Sequence, residues 1–156
     1  MWQRIQTLWL ALVVMLMCLL LVLPMVAFVD RVSGIAVHQM TAWGIEDMSG
    51  ALVGVSWPIG VLTIVVASLA FVSLFLYKGS RGRAYQVRIS VLSSLILLGM
   101  LGYMGVITYQ HCIVTDLSFG AKFALALPLV ALVLEYLAIR SILRDEMLVR
   151  LSNRLR

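Results

Sequence analysis

The sequence predicts an all-α membrane protein, a bundle of four transmembrane helices with both termini on one side of the bilayer. The 156-residue chain is 63% hydrophobic and 12% charged, with a mean hydropathy of +1.06. That charged share is about half of the roughly 25% found in soluble domains. Four apolar segments of about 20 residues match the thickness of a hydrocarbon core, and the basic residues concentrate between alternate segments.

The chain forms a single membrane domain over residues 1–156 in this prediction. A cytoplasmic tail follows the fourth helix over residues 144–156. The predicted spans cover approximately residues 8–28, 59–77, 89–109 and 123–143.

Proline and glycine mark two features of the predicted helices. Pro24 and Pro128 fall inside the first and fourth spans, where a proline bends a helix. Gly99, Gly102 and Gly105 recur every three residues in the third span. Small residues let helix backbones approach closely, so we expect these glycines to pack against a neighbouring helix of the bundle. A face for dimer formation is the alternative.

The distribution of positive charge predicts the orientation. Basic residues are enriched on the cytoplasmic side of membrane proteins, so both termini are predicted to be cytoplasmic. The other side has only Arg31 and Lys122, beside four acidic residues. Ten of the 12 basic residues lie on the predicted inner side: Arg4, Lys78, Arg81, Arg83, Arg88, Arg140, Arg144, Arg150, Arg154 and Arg156.

The first outer segment, residues 29–58, is much longer than the other connections. Its stretch GIAVHQMTAWGIEDMSGALVG mixes apolar and polar residues, with Ser-Gly turn signals at its ends. We expect an ordered cap rather than a mobile linker. A short hairpin and an amphipathic segment lying on the outer leaflet both fit the pattern.

Glu135 interrupts the fourth apolar segment with a charge. An acid in a transmembrane helix costs up to about 3 kcal/mol and indicates a functional site by default. Facing the bundle interior, Glu135 would serve as a proton relay or an ion ligand. Alternatively, it lies about five residues from Arg140 and would reach the inner interface, or would bond to Tyr or Ser on a neighbouring helix.

The sequence predicts no catalytic residue, no metal ligand and no cofactor. It has no GxSxG, Walker or CxxC motif. His38 and His111 lie on the outer side with the acidic residues Glu46, Asp47 and Asp116, but without the spacing of a metal motif. The hydroxyl groups in the helices can bond to backbone carbonyl groups; they belong to Thr63, Ser68, Ser73, Ser90, Ser93, Ser94 and Thr108.

The tail RSILRDEMLVRLSNRLR has leucine and methionine at helical spacing and Glu146 four residues before Arg150. It is predicted to be an amphipathic helix, either lying on the anionic inner leaflet or docking on a membrane protein or a second copy of the chain. Orientation and contact with anionic lipid explain the basic residues beside the bilayer, so we do not predict binding of nucleic acid. The predicted contact residues are Arg4, Gln6, Arg144, Asp145, Glu146, Arg150 and Arg154.

Both ends of the chain carry a resemblance. The opening MWQRIQTLWLAL and the close ILRDEMLVRLSNRLR resemble an uncharacterised Bacteroidota family of small four-helix membrane proteins, with departures at Leu151 and Asn153. The resemblance implies a bacterial inner membrane and periplasmic outer loops, but no activity. The matching residues are Gln3, Arg4, Ile5, Gln6, Arg144, Asp145, Glu146, Leu148, Val149, Arg150, Arg154, Leu155 and Arg156.

These features favour a non-enzymatic accessory or scaffold subunit that contacts partners through its tail and its first periplasmic loop. A small transporter or channel subunit that uses Glu135 is the alternative. A membrane enzyme acting on lipid, with the outer His and acidic residues as its site, comes third. At the cytoplasmic side, Arg4 and Gln6 are expected to approach Asp145 and Glu146.

Overall fold

The computed structural model contains helices and a β-sheet. It describes the main chain of residues 3–76 and 80–154, and the side chains of residues 6–76, 84–144 and 147. In chain order the elements are α1 (Gln3–Leu20), β1 (Val26–Val29), β2 (Ala36–Met40), β3 (Gly44–Asp47), β4 (Leu52–Val55), α2 (Trp57–Phe75), α3 (Ser80–Thr115), β5 (Ser118–Ala121), a 3₁₀ turn (Phe123–Ala126) and α4 (Leu127–Arg154).

The prediction of an all-α fold is wrong, because the outer segments form a five-stranded antiparallel sheet. Its strand order is β4-β3-β2-β1-β5. The first outer segment supplies β2, β3 and β4, and the end of the predicted first span supplies β1. The loop before the fourth predicted span supplies β5, which pairs with β1 from Val26 opposite Ala121 to Val29 opposite Ser118. The expected ordered cap is therefore a sheet built from two distant parts of the chain.

The end of the first helix explains part of this error. α1 ends at Leu20, whereas the predicted span continued to residue 28. Pro24 lies beyond the helix, where it interrupts no helical hydrogen bond. The next residues, VAFV, are apolar enough to extend a membrane span, but they form β1 and are almost entirely buried. A short buried strand and the end of an apolar helix have the same local pattern.

Two tight turns connect neighbouring strands of the sheet. In each turn an aspartate accepts hydrogen bonds from residues of the same turn. In the β1–β2 turn the Ser33 hydroxyl donates to Asp30 at 2.7 Å, and this bond holds the pKa of Asp30 below its usual value. In the β3–β4 turn the Ser49 hydroxyl lowers the pKa of Asp47 in the same way. Gly34 and Gly50 supply the left-handed backbone, with φ of 68° and 83°.

The four helices pack in a ring in which α1 and α3 each contact both α2 and α4. Among the described residues, three helical segments are long and apolar enough to cross a membrane: Trp57–Phe75, Ala84–Thr115 and Phe123–Arg144. The apolar helix Gln6–Leu20 is shorter. α4 continues without a break into the tail as far as Arg154.

The glycines of α3 do not have the packing role expected from the sequence. Gly99, Gly102 and Gly105 are exposed, and a Cβ built on any of them meets nothing within 4 Å. They lie on the face of α3 that points away from the other helices. The close helix approach predicted at this stripe is absent from the part of the chain that the structure describes.

The sheet is joined to the helices by one continuous core, which includes Met17 of α1, Phe28 and Met40 of the sheet, and Met104 of α3. The start of α2 is fixed to the β2–β3 connection, because the N–H of Gly60 donates to the carbonyl oxygen of Ala42 at 2.9 Å. A Cβ on Gly60 would approach that oxygen to 3.0 Å, which is an unusually tight contact, so this position favours glycine.

Candidate functional site

Glu135 is fully buried between α4 and α3. It lies near the middle of the apolar segment Phe123–Arg144 and is 0% exposed. The Ser93 hydroxyl of α3 donates to Oε1 of Glu135 at 2.8 Å. The Glu135 side chain therefore does not reach the inner membrane interface. The sequence left several alternatives open, and the structure shows one of them, a hydrogen bond to a serine of a neighbouring helix.

α3 presents a polar face toward this carboxyl group. Gln86, Ser90 and Ser93 recur at positions i, i+4 and i+7, which lie on one side of an α-helix. All three side chains are at most 1% exposed. Ser90 lies beside the Glu135 carboxyl group, and Ser93 bonds to it. α3 thus buries a polar stripe on the side that meets Glu135 of α4.

A fourth polar group, Ser73 of α2, lies at the same level. The Thr63 hydroxyl of α2 contacts the Met100 sulfur of α3 at 3.5 Å, which fixes the register of these antiparallel neighbours. Ser73 and Ser90 each lie ten residues closer to the α2–α3 connection than that pair. Equal rise along both helices brings them to one level, and Ser73 is 0% exposed.

We refer to Ser73, Gln86, Ser90, Ser93 and Glu135 as the buried polar cluster. Several of its atoms have no hydrogen-bond partner among the described residues: the hydroxyls of Ser73 and Ser90, both amide atoms of Gln86, and Oε2 of Glu135. Each unsatisfied buried polar group costs about 1–3 kcal/mol. Such groups indicate a bound species, a water or a functional role.

The predicted contact residues at the chain ends have different environments. Gln6 is buried, with 3% of its surface exposed, whereas Arg144 is exposed on α4. The predicted contacts of both residues stay predictions. The other five predicted contact residues are Arg4 in α1 and four residues in α4. Their side chains lie outside the described residues, so the contacts predicted for them stay predictions. The four in α4 are Asp145, Glu146, Arg150 and Arg154.

On the sheet side, the fold brings together two residues that the sequence left scattered. His38 of β2 and His111 of α3 approach to 3.2 Å, between Nδ1 and Nε2. Asp47 is the cross-strand neighbour of His38. Asp116 instead forms an exposed ion pair with Arg31 at 3.3 Å. Among the described residues no group of three His, Cys, Asp or Glu side chains converges as a metal site.

A family described as a domain of unknown function, DUF4293, matches residues 2–155. The chain belongs to this family. No curated protein matches the DUF4293 chain. The membership extends over nearly the whole sequence, whereas the Bacteroidota origin implied by the resemblance stays an expectation.

Sequence reasoning identified Glu135 of the DUF4293 chain but missed its neighbours. The sequence interpretation gave the serine hydroxyls backbone carbonyl groups as partners, which Ser68, Ser94 and Ser141 have, and named no particular serine as a partner of Glu135. The i, i+4, i+7 spacing of polar residues in the first half of α3 was the signal that could have found Gln86, Ser90 and Ser93. Ser73, the cluster residue on α2, has no comparable spacing pattern in the sequence.

Proposed function

We propose that the DUF4293 chain is a small, non-enzymatic membrane transporter or channel subunit in which Glu135 takes up and releases a proton. The observation that carries this proposal is the fully buried carboxyl group, with one oxygen bonded to Ser93 and the other without a partner among the described residues. Acidic residues inside membrane helices recur in proton pathways.

A purely structural role explains the cluster less well. A structural polar network gains stability only when each member is satisfied, because a partly satisfied network is worse than an apolar core. Here the unsatisfied atoms belong to Glu135 and to Gln86 and Ser90, which share a face of α3 with Ser93, the partner of Glu135. The side chains of Gln86 and Ser90 can accept or donate further hydrogen bonds, so they provide positions along α3 to which a proton from Glu135 can pass.

The enclosure of the site favours a proton over a metal cation as the transported species. Glu135, Ser90 and Ser93 are at most 1% exposed. A hard metal cation needs about six oxygen ligands, usually with several waters, whereas a proton needs no cavity and only one acceptor. Hydroxyl groups act as both donor and acceptor, so Ser90 and Ser93 are suited to relay it.

We place the protein in a bacterial inner membrane, with both termini cytoplasmic and the sheet periplasmic. The charges support this orientation. Arg140 and Arg144 lie toward the end of α4 that is remote from the sheet, and the turns of the sheet carry Asp30 and Asp47. Cytoplasmic ends of membrane helices are enriched in Lys and Arg.

Proton flux across liposomes tests the proposal. Purified protein reconstituted in vesicles with an internal pH-sensitive dye should dissipate an imposed pH gradient faster than empty vesicles. Glu135→Gln keeps the size of the side chain but removes its exchangeable acid group. We expect this variant to lower protein-dependent flux by at least about 100-fold, which corresponds to loss of the main proton-carrying group.

Two serine variants sharpen the test. Ser93→Ala removes the bond to Glu135, and we expect it to reduce flux about tenfold. Ser94→Ala is the matched control, because its hydroxyl donates only to the carbonyl oxygen of Ser90 at 2.9 Å; it should retain wild-type flux. Wild-type flux in a correctly folded Glu135→Gln protein, or no flux from the wild type, contradicts the proposal.

A second candidate function, a scaffold or accessory subunit, is favoured by the free edge of the sheet. β4 is an edge strand whose exposed side chains include Leu52, Val53 and Val55. An apolar edge strand with unpaired backbone groups is a template for pairing with another chain. In this candidate, a partner or a second copy adds a strand beside β4.

Site-specific photocrosslinking in the native membrane tests this second candidate. A photoreactive residue at Val53 should give a defined crosslinked product. The same residue at Val32, which is 94% exposed on the β1–β2 turn, is the matched control and should give none. Equal products from both positions, or none from Val53, count against pairing at β4.

A further inference from the structure

The two histidines of the chain form a pair between the sheet and α3. His38 lies on β2 and His111 near the end of α3, and Nδ1 of the first is 3.2 Å from Nε2 of the second. The rings meet edge to face, with centroids 5.3 Å apart. Phe28 packs against the His111 ring at 4.4 Å and restricts its orientation. The proposed proton pathway at Glu135 does not use this pair.

We propose that His38 and His111 form a binding site for a divalent transition-metal ion such as Zn²⁺ on the sheet side of the protein. Neutral imidazole is a preferred ligand for Zn²⁺ and related ions. The site lies outside the buried polar cluster and has no part in the proton pathway. It offers a ligand class that the family description does not assign.

The separation of the two nitrogens fits such an ion. Zn²⁺ binds imidazole nitrogen at about 2.0–2.1 Å in tetrahedral geometry, which separates two ligand nitrogens by roughly 3.3 Å. The observed 3.2 Å needs little adjustment. An ion between the rings would replace the hydrogen bond that now joins them. Because two side chains supply only two ligands, water would complete the coordination.

A carboxylate beside the pair supports binding of a cation. Asp47 lies directly opposite His38 in the β2–β3 ladder, so their side chains share one face of the sheet. The Ser49 hydroxyl and the Met48 N–H hold this carboxylate at 3.0 and 2.8 Å. Negative charge next to the imidazoles attracts a divalent ion without itself needing to coordinate it.

The two histidines lie on separate parts of the fold, so an ion bound between them would stabilise the folded protein. β2 belongs to the first outer segment, whereas His111 follows 73 residues later on a membrane-crossing helix. An ion held by both side chains would crosslink the sheet to α3. Binding to the folded state alone then stabilises the protein in proportion to ion concentration.

Zinc binding to the purified full chain tests the inference. The protein is prepared with a tag that contains no histidine, stripped with a chelator and titrated with Zn²⁺ alone by calorimetry. We expect one ion per chain and a Tm that rises with Zn²⁺ but not with Mg²⁺. These wild-type measurements need no variant, and absence of both effects overturns the proposal.

Variants locate the site. His38→Gln should abolish zinc binding and the zinc-dependent rise in Tm, and Asp47→Asn should weaken binding about tenfold. Cys112→Ser is the matched control, since Cys112 is a free thiol next to His111 in sequence, and should bind Zn²⁺ as the wild type does. Unchanged binding by His38→Gln, or its loss in Cys112→Ser, overturns the assignment.

Discussion

Replacing Phe28 by alanine is expected to lower the free energy of unfolding by about 3–5 kcal/mol. Phe28 is fully buried in β1, and its ring packs against His111 of α3 with centroids 4.4 Å apart. The alanine variant therefore leaves a cavity where the sheet meets the helices. Denaturant titration in detergent micelles, followed by tryptophan fluorescence and far-UV circular dichroism, measures the change.

Phe119→Ala provides the matched control for this prediction. Phe119 lies opposite Phe28 in the β1–β5 ladder, but its side chain is 52% exposed. Its truncation removes the same atoms from a site that is already half solvated, so we expect a loss below about 1 kcal/mol. Similar losses for the two variants would mean that Phe28 does not join the sheet to the helix core.

The helices were predictable because their apolar segments are long. Pro58 sits in the first turn of α2, which begins at Trp57, close to the predicted start at residue 59. The apolar segment Phe123–Arg144 also begins where the fourth predicted span does. Over about 20 residues, the cost of placing polar groups in hydrocarbon dominates all local preferences. Composition alone then identifies the element.

The sheet was not predictable by the same reasoning, because its strands are four or five residues long and pair across the chain. The sequence of β1 continues the apolar pattern of the first helix, and β5 lies in the short loop before the fourth predicted span. β5 lies at the edge of the sheet and pairs with β1, where Ala121 is opposite Val26. Pairing between such distant positions has no local signature.

Only one residue of the candidate site was predictable, Glu135, whose placement in an apolar span has the largest free-energy cost. Glu135 stands out because a carboxyl group within an apolar span is rare. Serine is common in membrane helices and usually bonds to its own backbone, as Ser94 does with Ser90. The different behaviour of Ser93 depends on which face of α3 meets α4, a tertiary property that the sequence of one helix does not contain.

Replacing Glu135 by leucine is expected to abolish proton flux without destabilising the protein. Leucine fills a similar volume and removes a carboxyl group whose Oε2 has no hydrogen-bond partner among the described residues. Replacing both partners of a buried polar pair by apolar groups of the same shape can leave stability nearly unchanged, and replacing a buried ion pair in this way can raise it by about 1–4 kcal/mol. Flux in liposomes and denaturant titration in micelles measure the two properties on one preparation.

The combination of the two measurements distinguishes a functional carboxyl group from a structural one. Leucine leaves the Ser93 hydroxyl without Glu135, but a helical serine can turn to a carbonyl oxygen of the preceding turn, as Ser141 does with Leu137. A structural Glu135 would instead make the variant lose stability by several kcal/mol while any flux persisted in the folded fraction. Lost flux at undiminished stability means that the Glu135 carboxyl group is needed for flux and not for the fold.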